Sequence, residues 1–484
     1  MLRTHPAAHL TLSALLTACA VGPNYHPVAP AAPAAWETQI SPTAAAGTES
    51  MNRWWTRFND PLLSELVDDA LAHNPDVTRA LAAVWVAREN RAQAAGGYYP
   101  ELDGSVAASR GREIFEAPVG LGNPPAAVLP FTSNSFQDGF DASWEIDLFG
   151  RVRRSVEAAD AGTQAAQDAA DEVRLILVGD IARYYVDARG LQRRIAVTQS
   201  TIAALQDTAR LTTVRYQAGT GTGLDAVRAH AQWQGTAAEL PQLEIGLRAD
   251  IYHLSILTGQ PPGALLPRLL NPHPIPHVDD EALELGVPAD VLRRRPDVRE
   301  AERQLAEASA NIGVAEADLY PALRLAGFIG FNSPRLSTLH HAGQSGAWSF
   351  GPAIDVPVFD AGRRRSVVRS REAQFQQAEA KYQTAVLSAE EDVENALVAY
   401  TRERERRARL VQAEASSADA VTLSTELYVK GLGTFLNVLD SQRTWFQAQS
   451  DLASSETNVS IDLIALYKAL GGGWNEACCH PPPD

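Results

Sequence analysis

The sequence predicts a mixed α+β membrane protein, in which short amphipathic strands continue into long helices and the whole unit occurs twice. The first observation is a repeat: the tripeptide Pro-Asp-Val at 75–77 returns at 296–298, and Tyr99-Pro100 returns as Tyr320-Pro321, both 221 positions later. The second is an alternation of apolar and polar residues before each long helix. The third is a pair of stretches of 67 and 68 residues that contain no proline.

A second set of matched residues extends the repeat. Six residues keep their order at an offset of 212, with only the first changed in type: Phe149, Gly150, Tyr216, Gly219, Trp233 and Gly259 return as Ala361, Gly362, Tyr428, Gly431, Trp445 and Gly471. Constant spacing over more than a hundred residues indicates two copies of one structural unit. We expect the first repeat over 60–259, a linker over 260–287 and the second repeat over 288–471.

The N-terminus reads as a lipoprotein signal. Arg3 precedes a short apolar run, and small residues lead to Cys19. This pattern predicts a signal peptide over 1–18, after which Cys19 carries a diacylglycerol and an N-acyl chain. The alternative is an ordinary signal peptide followed by an incidental cysteine. The signal resembles that of bacterial lipoproteins, and for those proteins a residue other than Asp after the cysteine, here Ala20, implies sorting to the outer membrane. Residues 19–59, rich in Ala and Pro after the cysteine, are expected to form a tether.

Composition and motifs exclude several classes. The chain has 42 Lys and Arg against 58 Asp and Glu, a net charge of −16, which argues against nucleic acid as a partner. It contains no metalloprotease, nucleophile-elbow or phosphate-loop motif, so no enzyme is predicted. Cys478, Cys479 and His480 make an incomplete metal site in the tail, 472–484, which we expect to be flexible. We therefore expect neither a metal nor a cofactor.

The first repeat is expected to open with two helices and a strand hairpin. Asp60 suits an N-cap before a helix that reaches Asn74, and a second helix follows over 76–95. Strands are expected within 101–148, where residues 136–148 alternate between an apolar and a polar face. A long helix over 151–217 leads to a glycine-bearing tip at 215–224. The returning helix runs over 224–257, with a kink expected at Pro241.

The second repeat follows the same plan. Alternating apolar residues predict strands within 322–359, and a helix is expected over 363–430. A tip at 428–436 precedes a returning helix over 435–470. An unbroken helix of nearly seventy residues would be ~100 Å long, too long for a globular core. Either the wall of a water-filled tube or a coiled-coil stalk explains such helices, and the strands favour the tube.

A membrane-crossing form must be shared between chains. After the signal no apolar run approaches the roughly 20 residues of a spanning helix, so a crossing would be made by a barrel. Four strands per chain cannot close, since small membrane barrels have about eight. A dimer would supply eight strands and a trimer twelve, and the residues alone do not choose between them.

Several long motifs resemble one family. The segments 21–27, 58–62 and 287–302, with Trp54-Trp55, resemble outer-membrane efflux lipoproteins of the NodT type, relatives of TolC. The resemblance implies a homotrimer with a twelve-stranded β-barrel that continues into a periplasmic α-helical barrel. It also implies a passive conduit that exports drugs or other small toxic solutes. The implied partners are a periplasmic adaptor and an inner-membrane pump of the resistance-nodulation-division type.

The resemblance also assigns residues. The periplasmic gate would comprise Leu436, Asn437, Asp440 and Arg443, with Asp225 accepting a hydrogen bond from Tyr428. The adaptor would meet the two tips, at Gly219, Thr220, Gly221 and Thr222 and at Gly431, Leu432, Gly433 and Thr434. Gly433 stands where the family can have Arg, so one tie of the gate is expected to be missing. Asn24 replaces the usual Asp, with little expected effect.

Two other functions fit parts of the same pattern. A type I-like protein secretion channel would use the same tunnel for a different cargo. A periplasmic coiled-coil scaffold lipoprotein would use the long helices but would need no amphipathic strands.

Overall fold

A computed structural model describes residues 20–27, 33–38, 51–116, 128–278 and 288–474, with side chains not described at 113–116 and 128–131. The predicted lipid site at Cys19 and the tail residues Cys478, Cys479 and His480 lie outside these residues. Two compact units emerge, each drawn from both repeats. The first comprises Met1–Pro27, Trp85–Gln164 and Glu302–Ala380, and the second comprises Val28–Val84, Ala165–Ala301 and Lys381–Asp484.

Helices make up most of the described chain. In order they are α1 (Pro61–His73), α2 (Pro75–Gly96), α3 (Arg151–Gln217), α4 (Gly223–Ala237), α5 (Leu240–Leu257), α6 (Leu266–Leu269), α7 (Pro288–Arg294), α8 (Pro296–Ala317), α9 (Ala342–Ser345), α10 (Arg363–Val429) and α11 (Phe435–Ala469). The two long helices, α3 and α10, each contain 67 residues. None of the described helices combines the length and the apolar composition needed to cross a bilayer.

The first unit contains one antiparallel sheet of four strands. The strands are β1 (Glu101–Glu116), β2 (Val128–Ile146), β3 (Ala322–Ser333) and β4 (Gly346–Asp355), hydrogen-bonded in the order β1-β2-β3-β4. Each repeat thus contributes one hairpin, and β2 and β3 join the two repeats. Within the described chain, β1 and β4 are the outer strands, so each has one side without a strand partner.

The sheet has one apolar and one polar face, as the alternation predicts. On one face, Phe140 pairs with Ile329, and Ile329 pairs with Trp348. These three side chains are 56%, 66% and 80% exposed. The neighbouring positions point to the other face, where Asp141 pairs with Phe328 and accepts a hydrogen bond from Ser105. A strand that lies between lipid and water requires one apolar face and one polar face.

The second unit holds an apolar core around its N-terminal aromatic residues. Trp54 stacks on Tyr467 with ring centroids 5.2 Å apart, and Leu63, Leu66 and Ile181 are fully buried beside them. The side chain of Asp60 caps α1 by accepting from the backbone N–H groups of the residues two and three positions on. The same carboxylate accepts a hydrogen bond of 2.7 Å from the Tyr185 hydroxyl on α3. The predicted cap therefore also joins α1 to the core.

Two boundaries differ from the prediction. The returning helix of the first repeat is two helices, α4 and α5, because Pro241 lies in the first turn of α5, where its missing N–H needs no partner. Strand β4 ends at Asp355, before the end of the range 322–359 within which the strands are predicted. Pro357, two residues after Asp355, cannot donate to a strand ladder.

Candidate functional site

The two hairpin tips have the same backbone construction. In the first, α3 ends before Gly219, which has φ +70°, and the N–H of Thr220 donates to the carbonyl of Arg215. In the second, α10 ends before Gly431, which has φ +76°, and the N–H of Leu432 donates to the carbonyl of Leu427. A left-handed residue is common after a helix and is adopted by glycine without steric cost. The repeated glycines therefore mark equivalent turns.

The adaptor positions predicted by resemblance occupy these turns. Thr222 caps α4, because its side chain accepts a hydrogen bond of 3.2 Å from the Asp225 N–H. Its counterpart Thr434 makes no such side-chain bond at the start of α11. Leu432 at the second tip is 75% exposed. The predicted adaptor positions, 219–222 and 431–434, therefore present backbone and small side chains to solvent, together with Leu432.

A small apolar cluster supports the tips. Phe435, Val438 and Leu439, from the first turns of α11, are buried against Ala209 of α3 and Ala229 of α4. This packing fixes which side of α11 faces inward. The remaining side of its first turns, with Leu436, Asn437 and Asp440, is left exposed.

The predicted gate residues share that exposed side of α11. Leu436 is 51% exposed, and Asp440 follows it by one turn. Asp440 and Arg443 line a cleft of about 670 Å³, to which Gln232, Thr236 and Glu239 also contribute. Within the described chain, neither the Asp440 carboxylate nor the Arg443 guanidinium makes an ion pair in the protomer. Both charges are therefore available to another molecule or to another protomer.

The predicted hydrogen bond between Tyr428 and Asp225 is not among the contacts of the described residues within one protomer. The Tyr428 ring instead lies beneath the guanidinium of Arg215, with Cζ 4.6 Å from the ring centroid. The ring also packs at a tilt against Phe435, with centroids 5.7 Å apart. The assigned tyrosine therefore contacts the first tip through its ring.

Sequence reasoning missed two charged residues at this site. Arg215 falls within the predicted tip at 215–224, and nothing in its local pattern indicates a contact with a residue more than two hundred positions away. Arg228 holds the position in α4 that Asp440 holds in α11, at the offset of 212, and is exposed. The repeat alignment could have shown that the two copies carry opposite charges at this position.

A second cluster of contacts fixes the segment after Cys19. The Val21 N–H donates to the Phe149 carbonyl at 3.0 Å, and Arg154 donates to the carbonyl of Val21 and to Oδ1 of Asn24. The Arg154 side chain is only 4% exposed. The Tyr25 hydroxyl donates to Glu302 at 2.7 Å. The motif that resembles the family therefore docks on helices α3 and α8, and Asn24 supplies an acceptor for the buried arginine.

No group of His, Cys, Asp and Glu side chains in the described ranges has an arrangement that could hold a metal ion. The described site therefore consists of two glycine turns, an apolar support and exposed charges.

Most of the chain matches known proteins. The family model described as outer membrane efflux protein matches residues 66–260 and 287–472. Nodulation protein T of Rhizobium leguminosarum bv. trifolii is 34% identical over 468 residues, 96% of each chain. Outer membrane protein OprJ of Pseudomonas aeruginosa is 31% identical and aligns over 96% of this chain and 95% of its own.

The fold has a close counterpart among solved structures. The outer-membrane channel OprN superposes with a TM-score of 0.86 at 34% identity, over 94% of this chain and 100% of that chain. The predicted TolC-like fold, with four strands per chain and long helices, is confirmed. The sequence motifs, the repeated hairpins and these matches agree, and the chain belongs to the outer membrane efflux protein family.

Proposed function

We propose that this chain is the outer-membrane channel of a tripartite efflux assembly. It would act as a passive conduit that carries drugs or other small toxic solutes from an inner-membrane pump to the exterior. The observation that carries the proposal is the four-stranded sheet with one exposed apolar face and one polar face. Such a sheet is suited to stand between lipid and a water-filled lumen.

The functional form in this proposal is a homotrimer. The outer strands β1 and β4 would leave backbone N–H and C=O groups unpaired, which lipid cannot satisfy. Pairing β4 of one protomer with β1 of the next removes both edges. Three chains of four strands give twelve strands, in keeping with the family.

The gate proposal rests on α11. Leu436, Asn437 and Asp440 share the exposed side of its first turns, and in a trimer three copies of each would converge. Three carboxylates in a narrow passage repel one another and concentrate cations. With Gly433 in place of an arginine, we propose that closure is looser at that point of the ring, and that Arg443 is available to contact a neighbouring helix.

The tips are the proposed contact with the periplasmic adaptor. Residues 219–222 and 431–434 form matching turns, so a trimer would offer six similar surfaces. A helical hairpin of the adaptor could dock on each surface, with Leu432 as an exposed apolar contact. The inner-membrane pump of the resistance-nodulation-division type would supply the cargo and the energy.

A lipid on Cys19 is the proposed anchor. The docked segment 20–25 supports it, because Val21 and Asn24 hold the chain against α3 immediately after the cysteine. Metabolic labelling with palmitate checks this proposal. Label in the wild-type protein that persists in the Cys19→Ser variant would contradict it.

The proposed function is tested by reconstituting the pathway in cells. The full-length chain is expressed in a Gram-negative strain that lacks its own efflux channel, together with a periplasmic adaptor and an inner-membrane pump of the resistance-nodulation-division type. The expected result is a rise in the minimal inhibitory concentration of pump substrates that requires all three proteins. Resistance that is independent of this chain, when it is present in the outer membrane, would contradict the proposal.

A further inference from the structure

We propose that the closed tip is held within each protomer by a cation–π latch, in which the Arg215 guanidinium binds the face of the Tyr428 ring. The latch acts through the ring and not through the Tyr428 hydroxyl. This inference rests on the proposed function, since it concerns how that channel stays closed.

The geometry of the pair fits a cation–π contact. The Cζ atom of Arg215 lies 4.6 Å from the centroid of the Tyr428 ring, within the roughly 6 Å over which the ring attracts a cation. Both side chains are partly buried, so water competes less for the guanidinium than at a fully exposed site. In the described part of the protomer, the guanidinium makes no ion pair with a carboxylate. The ring face is therefore its main partner.

Each partner is held firmly in its own tip. The Arg215 carbonyl accepts from the N–H of Thr220 at 2.9 Å and from its hydroxyl at 3.2 Å, so the residue is fixed to the first turn. The Tyr428 carbonyl accepts from the Gly431 N–H at 3.1 Å, and its ring packs on Phe435. The pair therefore joins the first tip to the second, and moving the tips apart must break it.

The alternative is a latch made by a hydrogen bond from the Tyr428 hydroxyl to Asp225, and the described contacts do not include this bond. The Tyr428 hydroxyl makes no hydrogen bond within the described residues of the protomer, to the Asp225 carboxylate or to any other group. A latch that used the hydroxyl would need a hydrogen bond that the described protomer does not make. A latch that uses the ring needs no change.

The internal repeat provides a matched control. Tyr216 holds in the first tip the position that Tyr428 holds in the second, at the offset of 212. The residue equivalent to Arg215 is Leu427, so the pair that corresponds to Arg215 and Tyr428 is Leu427 and Tyr216, and this pair contains no cation. Tyr216 is 55% exposed, and its ring lies beside Gly223. Loss of the Tyr216 ring should therefore leave the latch intact.

The experiment measures leak through the closed channel. The full-length protein is expressed without its pump in a strain that lacks its own efflux channel, and sensitivity to vancomycin, which the intact outer membrane excludes, is measured. Arg215→Gln and Tyr428→Leu are expected to increase sensitivity about fivefold, the factor that loss of one partly buried cation–π contact gives. Tyr428→Phe is expected to leak less than Tyr428→Leu, and Arg215→Lys less than Arg215→Gln. Tyr216→Leu is expected to behave as the wild type.

The results separate the ring from the hydroxyl. Equal leak through Tyr428→Phe and Tyr428→Leu would overturn the latch, because it would assign closure to the hydroxyl. Wild-type sensitivity in both Arg215→Gln and Tyr428→Leu would also overturn it. The amount of heat-modifiable oligomer in the outer membrane is measured for every variant, and sensitivity is compared at equal amounts. Failure of the proposed function is recognised separately, as a lack of conductance by the wild-type protein in lipid bilayers.

Discussion

At the scale of single residues, the Asp250 carboxyl group on α5 shows how burial sets a charge. Burial, helped by the negative charge of Asp187 on α3 and opposed by Arg183, raises its pKa to about 7. Burial also raises the pKa of Asp187. One oxygen of Asp250 is buried without a hydrogen-bond partner in the described chain. The folded protein therefore disfavours the charged form of this group.

The substitution Asp250→Asn is expected to stabilise the protein at alkaline pH. Because the folded pKa lies above the unfolded value, stability from this group is present below about pH 4 and is lost as the pH rises through about 7. The amide avoids this loss, which we estimate at about 1 to 2 kcal/mol after allowing for partial solvent screening. The midpoint of heat-induced loss of helix, measured in detergent at pH 8 and at pH 4, checks this.

The control for this prediction is Asp207→Asn on α3. The Asp207 side chain is 76% exposed and pairs weakly with Arg210 at 3.5 Å, so its loss should change stability little at either pH. A stabilisation by Asp250→Asn that is equally large at pH 4 would contradict the electrostatic explanation.

The side of a helix on which a residue lies could be predicted better than the residues that it contacts. The positions of Asp440 and Leu436 on one helical side follow from their spacing of four, and the structure leaves both exposed. The Arg215–Tyr428 contact could not be predicted, because it joins two tips whose mutual placement no local pattern describes. The role of Asn24 as an acceptor for Arg154 also required the three-dimensional arrangement.

At the scale of elements, the glycine turns explain how each long helix reverses. Gly431 has φ +76°, and the amides of Leu432 and Gly433 both donate to the Leu427 carbonyl, at 2.8 and 3.1 Å. A side chain at this position would strain the backbone by about 1 to 2 kcal/mol. Gly235, inside α4, has open space around its missing Cβ.

The variant Gly431→Ala is therefore expected to loosen the second tip. Hydrogen exchange of the Leu432 and Gly433 amides should become about five- to tenfold faster, because the turn opens more often. Gly235→Ala, the matched control, should leave these amides unchanged and should favour its helix by about 0.5 to 1 kcal/mol. Equal exchange at the tip in Gly431→Ala and wild-type protein would refute the role of the left-handed turn.

Helices and strands could be predicted where one local property of the sequence, such as the lack of proline or the alternation of apolar residues, determines them. The long helices follow from the lack of proline, and α3 has the predicted bounds, Arg151–Gln217. The strands follow from alternation, but β2 begins at Val128, before the predicted alternation. Pairing with the whole length of β1 explains this extension, and pairing partners are not encoded locally. The break before α5 shows that Pro241 starts a new helix rather than kinking one.

In the whole molecule, the proposed channel requires several chains to share one pore. The alternation predicts a sheet with two faces, and the four strands leave the outer edges of β1 and β4 open in the described protomer. The number of chains that close a barrel depends on strand tilt and shear, which a single repeat does not specify. The trimer therefore rests on membership of the family, and the sequence of strands alone allowed a dimer as well.

The ionic conductance of the purified, full-length protein in planar lipid bilayers is the most direct test of a pore shared between protomers. We expect uniform small steps of current that favour cations, and a weaker cation preference in Asp440→Asn, because the proposed ring of carboxylates is then neutral. Absence of conductance from protein that is folded, oligomeric and inserted in the bilayer would show that the protomers form no such pore.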